Sequence, residues 1–522
     1  MENFDVIVIG SGIGGLTAAA LLSRYGKRVI VCESHTVAGG AAHNFRRQGF
    51  EFDSGPSFYC GLSDARSLNP VKQVLDILGE SLQTVPYDPL GHYHFPEGSF
   101  AVYCNYQRYR EEVAKITPQG ARELAEFEKR LLPLYEAMKG IPTLALRSDW
   151  QLIPILLGRY LPSLLKMLPN LPLVQSSVGS VMDATVKDPW VRRLIDLECF
   201  LLSGLKASGT IAPEVAFMLG ERSNTAIEYP LGGGSAIVDA LVKGLKKHGG
   251  ELRLGCHVEQ IIVENGQAIG VRLSPQPPLK KELSPQPPLK KGGKEEVIKA
   301  PVVISNATIW DTYSKLLLPQ DLPASYRQAA LDTPAVESFM HLHLGFRGEG
   351  LENLTGHHVV VHDAQQDISV PGNTCMISIP TVWDNSLAPE NHHVVHAYTL
   401  EPFAGWEKNQ DYEEKKQQKA QTLYRAIEKV IPDIRKRVAL ELIGTPLTHA
   451  GYLRRYQGTY GPAIAAGKGM FPSTNTPIKG LYRVGDSTMP GIGVPAVAAS
   501  GILCANSLVK SSQVMELVDL LG

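Results

Sequence analysis

One cluster near the start of the chain has the residue types and spacing for chemistry. Gly10-Ser11-Gly12-Ile13-Gly14-Gly15 fits GxGxxG at Gly10, Gly12 and Gly15, and Glu33 follows. Each part has a physical task. Gly10 allows a tight turn, Gly12 lets backbone approach a pyrophosphate, and Gly15 lets a helix pack closely on a strand. Free N–H groups at a helix N-terminus, with their partial positive charge, receive phosphates. A carboxylate at Glu33 accepts hydrogen bonds from a ribose diol, and an acid there argues against a 2′-phosphate. The spacing predicts a bound dinucleotide.

The elements that must hold these residues are legible around them. Phe4 to Ile9 (F-D-V-I-V-I) is a short β-branched run of the kind that forms a buried parallel strand. Leu16 to Tyr25 reads as a helix and Arg28 to Cys32 as a second strand, which completes the strand–turn–helix–strand unit. Gly39-Gly40-Ala41-Ala42 follows. A glycine pair just after the acid-bearing strand is the pattern of FAD proteins rather than of NAD dehydrogenases. At the far end, Gly480 to Val484 reads as a strand running into Gly485-Asp486, then Ser487 to Val497, then a helix-like stretch from Ala498 to Val509. This arrangement closes a flavin site from both ends of the chain. Asp486 would bond the ribityl or pyrophosphate region, and the following helix would aim its N-terminus at the isoalloxazine. Gly491 to Ala496 superficially fits GxGxxA, but it does not follow a strand directly and is not a second nucleotide unit.

Between these ends, residues 57–220 read as mostly helical, in short segments broken by proline. Trp150 to Leu173 is leucine-rich, interrupted by Pro154, Pro162, Pro169, Arg159 and Lys166. No run reaches the roughly 18 uninterrupted apolar residues of a spanning helix. Two readings stay open for it: a core-facing segment, or an interfacial patch that dips into a bilayer with Arg159 and Lys166 at headgroups. Tyr229 to Ser235 is a Gly-rich turn, expected to re-enter the nucleotide domain with no buried strand feeding it. Leu252 to Leu273 reads as strands with a hairpin at Asn265-Gly266. The nine residues 273–281 recur at 283–291 after Glu282. This Pro-rich tandem predicts an exposed insertion, since proline removes donors and fixes φ. Pro301 to Ala307, Ser338 to Leu344, His358 to Val361 and Val394 to Leu400 read as strands. The pair His392-His393 reads as a solvated loop edge, and residues 411–438 as a charged amphipathic helix.

Composition narrows the class. The 522 residues are 44% hydrophobic and 20% charged, ordinary for a globular chain and not for a disordered or collagen-like one. The net charge of −1 provides no global field for nucleic acid. Seven cysteines without a CxxC suggest neither a redox dithiol nor a zinc knuckle. They read as buried apolar residues of a reducing compartment. Met1-Glu2-Asn3 has no basic n-region, so no signal peptide is expected. No metal ligand set is predicted.

The chain resembles the FAD-dependent carotenoid desaturase and isomerase group, which includes bacterial-type phytoene desaturases, carotenoid cis–trans isomerases and retinol saturases. The likeness runs nearly end to end, apart from the repeat. It rests on Asp5 to Gly15, Gly39-Gly40, Phe52-Asp53-Ser54-Gly55, Tyr229-Pro230 with Gly232-Gly233, and Val303 to Ala307. It rests most on Gly444-Thr445-Pro446-Leu447-Thr448-His449 with Gly458 to Pro462, and on Lys479 through Asp486 to Val494. The late stretches look most like the isomerase branch.

The resemblance implies an α/β fold. A Rossmann-like FAD domain of glutathione reductase/GDI type would be interleaved with an α+β substrate domain. The FAD domain would take residues 1–60, 229–310 (with the insertion 273–293) and 476–522. The substrate domain would take 61–228, mostly helical, and 311–475, with a sheet. The expected FAD-binding residues are Gly10, Gly12, Ile13, Gly14, Gly15, Glu33, Gly39, Gly40, Ala41, Gly485, Asp486, Gly493 and Val494. Val258 joins them through the resemblance, its backbone near the adenine. The implied substrate is a long apolar polyene or other lipid, drawn from a membrane surface by a cytoplasmic, peripheral protein. No catalytic residue and no electron acceptor carries over, because the chemistry belongs largely to the flavin. Retinol saturase-like or amine oxidase-like chemistry, and a non-catalytic GDI-like lipid carrier, are the alternatives.

Overall fold

Buried β-branched runs with no polar face form strands covered on both sides, and such strands pair in parallel. Five do so here. The order across the sheet is Glu251–Arg253, Val29–Cys32, Val6–Ile9, Val302–Ser305 and Leu481–Arg483, all parallel. Three distant stretches of chain thus meet in one sheet. The computed structural model describes residues 4–274 and 296–521. The repeat from residue 275 onward lies outside them.

The first helix, Ile13–Arg24, is buried from Ile13 to Ser23. It packs between the helices Val494–Ser507 and Gly234–Lys247. Glycine makes the closest of these approaches: a Cβ at Gly501 would lie 2.6 Å from the Gly14 carbonyl oxygen. The hairpin Val258–Glu264/Gln267–Leu273 turns at Asn265-Gly266, both with positive φ (51° and 75°). That is the conformation an Asn-Gly turn is selected for.

A second sheet has seven strands. Its order is Val438–Gly444, Phe339–Arg347, His392–Leu400, Thr374–Ser378, His357–Val361, Gly91–Phe95 and Gly98–Val102. Pairing is antiparallel except between His357–Val361 and Gly91–Phe95.

Four expectations change. Residues 57–220 are helical for most of their length, but Thr84–Pro86, Gly91–Phe95 and Gly98–Val102 are strands, and the last two extend the seven-stranded sheet. A buried strand, Ile227–Pro230, does feed the Gly-rich turn before Gly234–Lys247. Glu228 hid it by interrupting the apolar pattern. That carboxylate is buried and accepts bonds from the Leu62 and Ser63 amides (2.7 and 3.0 Å) and the Thr84 hydroxyl (2.9 Å). The pair His392-His393 begins a strand and is half-buried, with His393 Nδ1 2.9 Å from Thr381 Oγ1. The charged helix over 411–438 is shorter, Tyr412–Glu428, and a separate turn follows at Ile434–Arg437.

The leucine-rich segment folds as short helices that face both ways: Ile155, Tyr160 and Leu173 are buried in the cores, whereas the other side stands in solvent. Trp150 is 75% exposed, and Ile153, Leu157, Leu161, Leu165, Leu168 and Leu171 are exposed with it. Among the described residues no single helix is long and apolar enough to cross a membrane. Leu152–Arg159 and Leu161–Val174 together reach that composition, but they meet at 95°.

Candidate functional site

Ligands of parallel α/β sheets sit beyond the C-terminal strand ends. There the loops after Val6–Ile9, Val29–Cys32, Val302–Ser305 and Leu481–Arg483 converge on one cavity of about 1930 Å³. Single-ligand pockets run to about 300–1,000 Å³, so this one has room for a cofactor and a second large ligand together.

Nearly all the sequence-predicted residues line it. Gly10, Gly12, Ile13, Gly14, Glu33, Gly39, Gly40, Ala41, Val258, Gly485, Asp486, Gly493 and Val494 face the cavity. Gly15 does not line it; it lies beneath, where a Cβ would stand 2.4 Å from the Gly10 carbonyl oxygen. That is the close helix–strand approach expected of the third glycine.

Glu33 is buried. Its carboxylate accepts bonds from the Ser11 amide (2.8 Å) and hydroxyl (2.6 Å) and from the His35 amide (2.7 Å). It therefore pins the glycine loop as well as facing the cavity. The Gly39 amide donates to the Ser11 carbonyl at 3.1 Å, which brings the second glycine pair against the first. At the other end, Asp486 pairs with Arg455 and accepts a bond from the Ser487 hydroxyl at 2.9 Å. Gly493 caps the helix Val494–Ser507 with φ 103°, and a Cβ there would point into open space.

These features fit an extended FAD. The glycines leave backbone bare where a pyrophosphate must approach, an acid stands at the ribose end, and a helix N-terminus opens on the cavity at the other. Glu33, Gly12, Gly39 and Gly40 would hold the adenosine and phosphates; Asp486, Gly493 and Val494 would face the ring end.

Sequence reasoning missed Asn306. Its amide stands where the two ends of the chain cross: a Cβ at Gly12 would meet Asn306 Nδ2 at 2.6 Å, and one at Gly485 would meet Asn306 Oδ1 at 2.8 Å. Its position one residue past a central parallel strand was the available signal. Arg455 was also missed as the partner of Asp486, because the two are brought together only by folding.

Away from the glycine loops the cavity walls are largely apolar. Phe200 to Leu202 at a helix end and Phe217 and Met218 in mid-helix, with Phe339, Met376, Tyr398 and Tyr460, line it. Beside this wall stands a stack of imidazoles, of which His449 lines the cavity. His343 and His396 lie 4.1 Å apart and nearly parallel, His341 Nδ1 is 2.9 Å from His396 Nε2, and His449 stacks on His341. Burial pushes His343 and His449 down to about 4, and His341 and His396 well below the usual range. The four rings are neutral packing groups. Among the described residues no group of three or more His, Cys, Asp or Glu side chains is placed to hold a metal ion.

Comparisons with known proteins agree with this geometry. A family profile described as "Flavin containing amine oxidoreductase" matches residues 13–509. The chloroplastic prolycopene isomerase of Daucus carota is 36% identical over 517 residues, covering 97% of this chain and 80% of that protein. A neurosporene-forming phytoene desaturase of Cereibacter sphaeroides is 26% identical over 530 residues, covering 96% and 93%. Among solved structures, an oxidoreductase from Methanosarcina mazei superposes with a TM-score of 0.60 at 20% identity, covering 95% of this chain and 98% of that one.

Proposed function

Because the chain belongs to the flavin-containing amine oxidoreductase family, in its carotenoid desaturase and isomerase group, we propose that it isomerises a long carotenoid polyene from cis to trans. Its cofactor is FAD. When bound, FAD supplies the electron chemistry that weakens a bond of the polyene. The chain's own residues bind and orient. The glycine loops and Glu33 hold the nucleotide, Asp486 and the helix from Val494 face the ring end, and the apolar wall keeps water from the polyene. On this reading the five-stranded parallel sheet carries the cofactor and the seven-stranded sheet covers the substrate.

The observation that carries the isomerase reading is the near full-length likeness to prolycopene isomerase, closer in identity than the likeness to phytoene desaturase. The decisive experiment is anaerobic incubation with a poly-cis carotene, with FAD oxidised or reduced, and chromatography of the products. Geometric isomers of unchanged mass are expected. A product with additional double bonds, formed as FAD is reduced, would make the protein a desaturase.

A polyene this apolar must come from a membrane or a carrier. The exposed ridge from Trp150 to Leu171, with Arg159 and Lys166, supports a peripheral position on a membrane surface. Leu152 and Val174, at the two ends of the ridge, both line the cavity. A lipid leaving the bilayer at this ridge would enter between them.

A further inference from the structure

The two glycine loops, Gly10 to Gly15 and Gly39 to Ala42, contain no lysine or arginine. They meet a pyrophosphate with N–H groups and a helix end alone. A dianion taken out of water is held best when a cation joins them. Among the described residues, five lysine or arginine side chains line the cavity: Arg147, Arg222, Lys315, Arg454 and Arg455. Arg455 holds Asp486 at the ring end, and Arg147, Arg222 and Lys315 pair with Asp149, Glu198 and Asp311. Arg454 is set apart by its place. It stands at the nucleotide end, where its charge acts together with those of Glu33 and His35.

Three distant parts of the chain meet there. The helix Pro446–Leu453 ends at Arg454, whose side chain is half-buried. His257, next to Val258 at the expected adenine, also lines the cavity. Arg454 Nη1 lies 2.9 Å from His257 Nδ1 and 3.0 Å from its Nε2. Burial, and after it the Arg454 charge, push His257 down to about 4, so the ring is neutral and accepts a bond from the guanidinium. A guanidinium carries several N–H donors in a fixed fork, so this bond orients it without exhausting it.

The backbone at Arg454 points the same way. Its φ of 51° and ψ of 36° are the left-handed conformation that glycine adopts at helix C-termini without strain. The chain does use glycine there elsewhere: Gly79 (φ 67°) ends Pro70–Leu78, and Gly204 (φ 74°) ends Pro189–Ser203. At position 454 a long cationic side chain is kept in spite of the backbone. Residues held in this way cluster at ligand clamps.

We propose that Arg454 is a cofactor-binding residue whose guanidinium closes over the ADP half of FAD and donates to a phosphate oxygen. This rests on the cofactor placement above and not on the isomerase reading. FAD then ties the two sheets together. The first glycine loop springs from the five-stranded sheet, whereas Val438–Gly444, the edge of the seven-stranded sheet, runs directly into the helix that ends at Arg454.

The test is Arg454→Gly in the full-length protein. Glycine takes the left-handed backbone without strain and removes the guanidinium. Flavin is stripped, and FAD and ADP are titrated into wild type and variant. Affinity for both should fall at least about tenfold, the scale of one lost charge-assisted hydrogen bond. The variant apoprotein should melt no lower than wild type, while the rise in melting temperature on adding FAD should shrink. Arg454→Asn, whose side chain also tolerates this backbone, should lose affinity to the same degree. ADP affinity within twofold of wild type in either variant overturns the proposal. So does a loss for FAD without a loss for ADP, which would put the arginine at the ring end. An Arg454→Gly apoprotein that melts below wild type overturns it too, since the arginine would then support the fold. Glu33→Gln, titrated in parallel, separates the two readings: if it also leaves ADP affinity unchanged, the cofactor placement falls as well.

Discussion

The Asn306 amide occupies the space that a side chain at Gly12 would need: a Cβ on Gly12 would stand 2.6 Å from Asn306 Nδ2. Real Cβ atoms do not approach so closely, so any residue larger than glycine displaces the Asn306 amide from the crossing of the two chain ends. Gly12→Val is therefore expected to purify without flavin, with the wild-type protein as the yellow control. A stoichiometric flavin spectrum in the variant would count against the cofactor placement.

Glu33 holds three donors from Ser11 and His35 and faces the cavity, where its proposed role is to meet the ribose of FAD. Glu33→Gln keeps the outline but replaces an acceptor oxygen by a donor. A charge-assisted hydrogen bond contributes about 1.5–3 kcal/mol, so FAD affinity should fall roughly tenfold or more. Equilibrium titration of the apoprotein with FAD measures it; an unchanged Kd would remove Glu33 from the ribose.

The buried histidines make the fold acid-sensitive. His343 and His449 sit at about 4, and His357 and His358 at about 3, with burial the largest cause in each. An unfolded histidine titrates near about 6.5. Below that pH the unfolded chain takes up protons that the folded chain refuses, so stability falls. Each such group contributes about 1.4 kcal/mol per pH unit until its folded pKa is reached. Asp53, raised to about 6, and Glu128 and Glu214, raised to about 7, act in the opposite direction, since they hold protons in the folded state that they lose on unfolding. The histidines outnumber them. The urea midpoint should therefore be lower at pH 5 than at pH 7, and equal midpoints would contradict the balance.

The ridge can be separated from the core. Leu157, Leu161 and Leu165 are 55%, 45% and 57% exposed, whereas Leu156 packs against the core. Changing the three exposed leucines to Ser should leave flavin content and melting temperature near wild type. Each leucine transferred to an apolar phase is worth about 1.5–3 kcal/mol, so liposome co-sedimentation should drop by well over tenfold. Equal sedimentation of the two proteins would show that the ridge is not the membrane contact.

The sequence by itself marked the glycine-loop end of the cavity. Gly10 to Gly15, Glu33, Gly39-Gly40 and Gly485-Asp486 are local devices: each works through backbone bareness or a strand end, and these leave a mark within a few residues. Only the tertiary structure decided the rest. Arg455 owes its place beside Asp486 to elements far apart in the chain, and nothing in its immediate neighbours encodes that meeting; Asn306 follows a strand, but only folding sets it against both Gly12 and Gly485. The strand Ile227–Pro230 was hidden because Glu228 is satisfied by amides from a distant loop, so its burial cannot be read from its own polarity. The Trp150–Leu173 leucines were open to two readings because leucine looks the same against a core or a bilayer; burial is a property of what else the fold brings near.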